Sequence, residues 1–299
     1  MNNLEEFVSG FVAVIGRPNV GKSTLMNNVI GQKVAIMSDK PQTTRNKILG
    51  VHTLEDAQIL FIDTPGIHKP KHKLGEAMAK STEGTLKEVD VILFVVDVTM
   101  KMKEGERYIL GMLEDVSTPV ILVINKIDKV AKEEILKAIS SYKEAFDFAA
   151  IVPISAQEKD NIDGLITEIK KHLSKGPKYY PDDMITDQPE RLIVAELIRE
   201  KALELTREEI PHALLVDIEE ITLRNNNKLF IRAIIYVERE SQKGIVVGKN
   251  GSLLKEIGQK ARHDIETLLG NEAYLDLWVK VKKDWRNKDT VLKNFGFEI

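Results

Sequence analysis

"GRPNVGKS", residues 16–23, stands between the apolar run "FVAVIG" (11–16) and the helix-period stretch "KSTLMNNVI" (22–30). It fits the pattern G-x-x-x-x-G-K-[ST] in the context that gives the pattern meaning: a strand ends in a glycine loop that opens a helix. There the glycines let consecutive backbone N–H groups turn inward on phosphate oxygens, and the helix N-terminus adds the positive end of its dipole. Lys22 is expected to reach the β- and γ-phosphates and Ser23 to hold Mg2+. Gly16, Arg17, Pro18, Asn19, Val20, Gly21 and Thr24 would complete the cradle. A glycine turn that merely joins strand to helix would leave the Lys-Ser pair without a purpose.

Outward from this loop, short runs rich in Val and Ile recur at 58–64 ("QILFIDT"), 91–98 ("VILFVVDV"), 119–126 ("PVILVINK") and 150–155 ("AIVPIS"), separated by helix-period segments such as "DGLITEIKKHL". Apolar strands alternating with helices imply an α/β domain with a mostly parallel sheet covered on both faces. Three of these strands end in further signals. "DTPG" (63–66) offers Asp63 to Mg2+ and the Gly66 N–H to a γ-phosphate, with Thr64, Pro65 and Ile67 lining the same turn. "NKID" (125–128) suits base readout: the Asp128 carboxylate accepts from the ring N–H and exocyclic amine of guanine, donors that adenine does not present in that arrangement. Asn125 would brace the loops and Lys126 lie along the base plane. "SA" (155–156) would offer the Ala156 N–H to the guanine oxygen beside Ser155. Each tetrapeptide alone is a plausible strand-end turn; their joint order predicts a GTPase.

"KPQTTRN" (40–46) falls where a switch segment should lie, and Thr44 is preferred to Thr43 as the second Mg2+ hydroxyl. Lys22, Thr44 and Gly66 are the expected catalytic groups. His68 and His72 invite a metal reading, but Pro70 between them disfavours the helix that would align them, so they are assigned to the second switch.

At 175–190, "KGPKYYPDDMITDQPE" breaks the pattern with three prolines, a glycine and four acids. The expected division is a nucleotide domain over 1–175, a linker over 176–190, a second domain over 191–285 and a tail over 286–299. The second domain reads as helix, strand, strand, helix, helix, strand, with "RNNN" (224–227) turning a hairpin. Within it, "GIVVGKNGSLLKEIG" (244–258) carries a G-x-x-G tetrad. The tetrad is weak alone and stronger for its context, with Lys249 and Asn250 at the tip and Lys255 on the helix that follows. Such a loop, at Gly248 and Gly251, lets the backbone of a single-stranded RNA approach closely. Six basic residues against two acids between Arg239 and Arg262, and again between Trp278 and Lys293, concentrate positive charge there. A solvated helix face beside a tight turn is the bland alternative.

The whole chain of 299 residues is 43% hydrophobic and 30% charged with net charge −3, so attraction to nucleic acid must come from patches. The absence of cysteine excludes disulfides, thiolate metal sites and a cysteine nucleophile. The opening "MNNLEEF" is acidic where a signal peptide would be basic, and the longest apolar run, "VILFVV" (91–96), is too short to span a bilayer. A cytoplasmic protein is expected.

Taken together, "GRPNVGKST", "PQTTR", "DTPG", "NKID", "SA" and "IVVGKNGSLLKEIG" resemble the Era family of bacterial GTPases over essentially the whole chain. The resemblance implies a Ras-like GTPase domain followed by a type II KH domain. It implies binding to the 3′ end of 16S rRNA, a role in small ribosomal subunit assembly, and peripheral contact with the cytoplasmic face of the membrane. A monomer is expected. Two rivals differ in class: a tRNA-modification GTPase, which would need partner chemistry or a cysteine motif, and a membrane-associated signalling GTPase using its KH fold to bind protein. One residue departs from the Ras pattern. Ile67 occupies the position of the glutamine that orients the attacking water, so slow intrinsic turnover is expected. The missing charge is expected from a potassium ion at Asn19, an asparagine that resembles the one in potassium-dependent relatives, or else from a side chain supplied by the ribosome or by the protein itself, such as Arg45.

Overall fold

The computed structural model of the protein describes residues 7–38, 40, 43–67, 70, 72–224 and 227–297. The chain opens with β1 (Val8–Ile15), α1 (Lys22–Ile30), β2 (Ile48–Thr53), β3 (Ala57–Asp63), α2 (Lys73–Leu86), β4 (Val91–Asp97) and α3 (Glu104–Leu113). It continues with β5 (Val120–Asn125), α4 (Lys132–Ala145), β6 (Ala150–Pro153), α5 (Ile162–Lys171) and β7 (Ser174–Lys175). These build one sheet in the order β2-β3-β1-β4-β5-β6, with β7 antiparallel on β1. All seven residues of β4 are buried, as an apolar strand with helices on both faces must be. One face packs Val12, Val14 and Val95 against Leu25, Leu165 and Ile169 of α1 and α5. The other packs Ile15, Ile92 and Phe94 against Ile109 and Tyr142 of α3 and α4. The edge strand β2 was absent from the expected runs; it forms an antiparallel hairpin with β3 across a short turn at 54–56.

The second unit comprises α6 (Glu190–Leu205), α7 (Ile210–Ala213), β8 (Leu215–Leu223), β9 (Leu229–Val237), α8 (Glu240–Val247), α9 (Ser252–Leu269), β10 (Ala273–Val281) and α10 (Asp289–Asn294). Its three strands run in the order β10-β9-β8, with β9 and β10 parallel. Helices α6, α8 and α9 cover one face, burying Leu197, Ile257 and Ile265 on Ile231, Ala233 and Ile235. The hairpin turn predicted at 224–227 places Asn227 in the left-handed region (φ 58°); Asn225 and Asn226 lie outside the described residues.

The segment read as a linker is docked rather than loose. The Val51 N–H donates to the Ile185 carbonyl (2.8 Å), Thr186 Oγ1 to the Leu49 carbonyl (2.6 Å), and Gln58 Oε1 accepts from the N–H groups of Tyr179 and Tyr180. The open edge of β2 is thereby covered, which proline and charge composition did not announce. The residues read as a tail also pack: Leu292 and Phe297 join Trp285, at the end of the expected second domain, in a cluster with Leu74, Ala77 and Met78 of α2.

Candidate nucleotide and RNA sites

The first four strand-end motifs meet at the carboxyl ends of β1, β3, β5 and β6, where a parallel sheet with helices on both sides leaves its ligand crevice. The loop after β1 is tightly built. Gly16 has φ 149°, and a Cβ there would lie 2.3 Å from the Val95 carbonyl oxygen; Gly21 has φ 101°, and its Cβ would lie 2.3 Å from Asn125 Nδ2. Pro18, Asn19, Gly21, Lys22, Ser23, Thr24, Thr43, Thr44, Gly66 and Lys126 line a cavity of about 270 Å³.

Lys22 is buried, with Nζ donating to the carbonyls of Gly16 (3.3 Å) and Arg17 (3.1 Å). Burial pushes its pKa down and Asp63 pulls it back up. At the mouth of the loop, Ser23 Oγ donates to Asp63 Oδ2 (2.6 Å) and lies 3.2 Å from Thr44 Oγ1, which itself donates to Asp63 Oδ2 (3.3 Å). Asp63 is fully buried and its Oδ1 has no hydrogen-bond partner. Two hydroxyls and a carboxylate with a spare buried lone pair form a hard-oxygen set that fits Mg2+. Burial raises the Asp63 carboxyl, against Lys22, Ser23 and Thr44, which lower it. Thr43 turns away, donating to the Lys40 carbonyl (2.6 Å), so of the two threonines only Thr44 joins the cluster. Pro41 and Gln42 lie outside the described residues, as does His68. His72 sits 3.3 Å from Arg286 Nη1, and no metal-holding group of His, Asp and Glu occurs among the described residues.

Several predicted contacts are structural instead. Arg17 pairs with Glu106 (3.0 Å), away from the cavity, and offers the site only its backbone. Thr64 Oγ1 donates to the Val14 carbonyl (2.9 Å). Pro65 is buried in the turn. Ile67 packs in the core with Ile15 and Ile92, and its N–H donates to the Gly16 carbonyl (3.1 Å). Gly66 is forced by close approach, since a Cβ there would stand 2.9 Å from Pro18.

The base loops are tied by one residue. Asn125 Nδ2 donates to the Val20 carbonyl (2.8 Å), while its Oδ1 accepts from the N–H groups of Lys126 (2.8 Å) and Ala156 (2.9 Å). The Ala156 N–H is thus committed to Asn125, not presented to a guanine oxygen: the buried amide finds the nearer acceptor. Asp128 is exposed and oriented by Ser155 Oγ (2.6 Å). Lys126 Nζ bridges the Asn19 carbonyl (2.8 Å) and Asp97 Oδ2 (2.6 Å). Asp97 belongs to none of the sequence motifs, although it closes β4 as Asp63 closes β3. Burial pushes its carboxyl up, but bonds from Lys126 and Thr99 outweigh that and hold it below the ordinary value.

In the second unit, the GKNG tetrad links α8 to α9. Gly248 (φ 73°) and Gly251 (φ 77°) flank Lys249 and Asn250, both exposed, and Asn250 is itself left-handed (φ 53°). A Cβ on Gly248 would meet Leu253 Cβ at 2.8 Å, so glycine is needed for the turn itself as well as for any ligand. Beside it a groove of about 360 Å³ has an apolar floor of Leu254, Leu275 and Leu277 and a rim with Lys255, Arg262 and Tyr274. Gly258 lets α9 approach the floor, its would-be Cβ 3.3 Å from Leu277 Cδ1. Tyr274 had no signal beyond its strand period.

Known proteins resemble this chain in both of its units. Residues 11–126 match the family described as 50S ribosome-binding GTPase, and residues 209–286 match the KH domain family. The chain is 56% identical over 294 residues to GTPase Era of Staphylococcus haemolyticus (strain JCSC1435), covering 98% of each. It superimposes with a TM-score of 0.95 on a structure of Era in complex with MgGDPNP and nucleotides 1506–1542 of 16S ribosomal RNA, at 45% identity over 98% of this chain and all of that one. An Aquifex aeolicus Era variant bound to GDP and AlF4− gives a TM-score of 0.94 at 45% identity and the same coverage.

Proposed function

The chain belongs to the Era family of GTPases, and from that premise we propose that it couples GTP binding and hydrolysis to recognition of the 16S rRNA 3′ end during small-subunit assembly. The observation that carries this reading is the co-occurrence of the Ser23–Thr44–Asp63 oxygen cluster with a second, differently built glycine loop beside a basic-rimmed groove. The expected boundaries are a GTPase unit to 175 and a KH unit from 191 to 285. The family resemblance also supports a monomer, in the cytoplasm and peripherally at the inner membrane. No helix among the described residues is long and apolar enough to cross a membrane.

In the GTPase unit, Ser23, Thr44 and Asp63 would hold Mg2+, which supplies charge neutralisation on the phosphates when bound. Lys22 exchanges the carbonyls of Gly16 and Arg17 for phosphate oxygens, a stronger charge-assisted pairing. Asp128, pre-oriented by Ser155, accepts from guanine. The Ile67 side chain offers no polar atom and faces the core, so water is ordered by backbone groups of the switches. In the KH unit, Lys249, Asn250 and the backbone of Gly248 and Gly251 meet the RNA phosphates, while Lys255 extends the basic rim.

The test is equilibrium binding of a short RNA carrying the 16S 3′ end, in parallel with GTP hydrolysis. Replacing Lys249 and Asn250 by aspartates is expected to abolish RNA binding and leave basal hydrolysis at the wild-type rate. Unchanged RNA affinity would return the tetrad to an ordinary helix–helix turn.

A further inference from the structure

Thr44 is the one member of the oxygen cluster that comes from neither the P-loop nor a strand end, and both of its neighbours are held by the other unit. On one side the Thr43 carbonyl accepts from Arg199 Nη2 of α6. On the other the Arg45 side chain leaves the GTPase unit altogether: Nη1 donates to the Leu214 carbonyl and Nη2 to those of Pro211 and His212 (3.3 Å each). These carbonyls lie in and just past the short helix α7, where helix geometry leaves them without intrahelical donors and where a cation meets the negative end of the dipole. The Trp285 ring lies 5.5 Å from Arg45 Cζ, with Trp285 Nε1 donating to the Ala213 carbonyl (2.9 Å). Arg45 is 3% exposed and Arg199 1%. Two buried guanidinium groups therefore tie the residues before and after Thr44 to the KH unit.

We propose that Arg45 and Arg199 are positioning residues for the GTP form: through them the docked KH unit holds the backbone around Thr44 so that its hydroxyl stands with Ser23 and Asp63 at the metal position. This rests on the GTPase reading above and deepens it. Arg45 touches no reacting atom here; its fork is committed to KH carbonyls, so it acts through Thr44. By linkage, a KH displacement that breaks these contacts weakens the triphosphate form, and triphosphate binding draws the KH unit onto the switch by an equal free energy. The diphosphate form does not depend on a threonine that meets the metal on the γ-phosphate side, so it is indifferent to the latch.

The experiment compares the affinities of full-length protein for GDP and for the non-hydrolysable analogue GDPNP, together with the Mg2+ dependence of single-turnover GTP hydrolysis. Variants are Arg45→Gln, Arg199→Gln and Arg45→Lys. Loss of a charge-assisted contact predicts GDPNP binding weakened about tenfold and a Mg2+ requirement raised about tenfold. GDP affinity should stay within about twofold, since it needs only the P-loop and base loops. Arg45→Lys keeps the cation without the fork and should fall between wild type and Arg45→Gln. Equal losses for GDP and GDPNP, or no change in either, would overturn the proposal and leave these arginines as interdomain packing. Should Arg45→Gln fail to fold, Arg199→Gln carries the same prediction. Absence of GDP binding by the wild type would instead sink the GTPase reading itself.

Discussion

Lys22 sits almost out of solvent in the lining of the cavity, with its ammonium resting on two loop carbonyls, so removing it leaves acceptors that water can reach. Lys22→Ala is expected to weaken GTP binding roughly ten- to a hundredfold with little change in melting temperature; isothermal titration and a thermal melt together check it. Asp128→Asn keeps the shape and the Ser155 contact but loses the charge, and should cost guanine-over-adenine selectivity about tenfold or more. If competition by ATP stays as poor as in wild type, the base-reading role of Asp128 is wrong. Asp63 predicts a pH effect whose sign follows from burial. Its carboxyl is raised above the ordinary 3.8, so the folded, metal-free protein holds a proton between that value and the raised one. Over that window the folded state binds more protons than the unfolded state, and metal-free stability falls as pH rises. Mg2+ needs the ionised carboxylate, so its affinity should fall on acidification before ordinary carboxylates titrate. A series of Mg2+ titrations at descending pH reads this out, and Asp63→Asn should flatten the dependence.

Among elements, the two glycine loops differ because their neighbours differ. The first has its helix α1 running away behind it and its glycines pressed against Val95 and Asn125, so backbone donors crowd one cavity. The second joins α8 to α9 with its tip in the open, where nothing lies within 4 Å of a Cβ on Gly251. Gly248→Ala should therefore behave differently from Gly251→Ala. Gly251→Ala carries the left-handed backbone cost of about 1–2 kcal/mol, whereas Gly248, at φ 73° and ψ 174°, lies in a region that only glycine enters readily, and its Cβ also collides with Leu253. Chemical denaturation should rank Gly248→Ala below Gly251→Ala in stability, and equal losses would mean the loop adjusts freely. The P-loop itself raises the question of the charge that Ile67 and the anchored Arg45 do not supply. Asn19, left-handed at φ 66° and lining the cavity, is the residue to which the cation expectation attaches. Hydrolysis should run several-fold faster in potassium than in sodium at matched ionic strength, and Asn19→Ala should remove the difference. Equal rates would transfer the burden to a group supplied by a partner.

For the molecule as a whole, the two units share more than a connecting segment. Ile36, from the loop after α1, belongs to the core of the KH unit, and Lys33 pairs with Glu200 (2.5 Å) and Asp264 (3.0 Å) across the junction. On the other side of the switch, Trp285 is fully buried among α2 residues and Leu215, and Arg286 pairs with Glu238 (2.5 Å) while approaching His72. The segment after β10 thus closes over the second switch helix. Trp285→Ala should cost about 3–5 kcal/mol of stability through the cavity it leaves. It should also raise amide exchange in α2 as well as in the KH unit, because that cavity opens onto both. Exchange raised only within the KH unit would show that the closing segment does not brace α2.

Short segments carried much of this protein's character. Apolar runs of the right length specified strands, and glycines at Gly16, Gly21, Gly248 and Gly251 marked turns whose conformation depends on a few neighbouring atoms. Motifs at strand ends therefore landed together once the strands lay parallel, and both candidate sites were legible in outline. What the sequence could not reveal were choices between partners far apart along the chain. Thr44 rather than Thr43 reaches Asp63 because Arg199 and Leu214, 156 residues beyond Thr43 and 169 beyond Arg45, hold the backbone in place. The Ala156 N–H goes to Asn125 because packing brings that acceptor first. The proline-rich segment lies against β2 because an open sheet edge needs covering, and Arg45 enters the KH unit because the end of α7 has carbonyls without donors. Local conformation follows from steric rules that act over a few residues; the pairing of buried polar groups is decided only when the tertiary fold removes water and leaves each group its nearest partner.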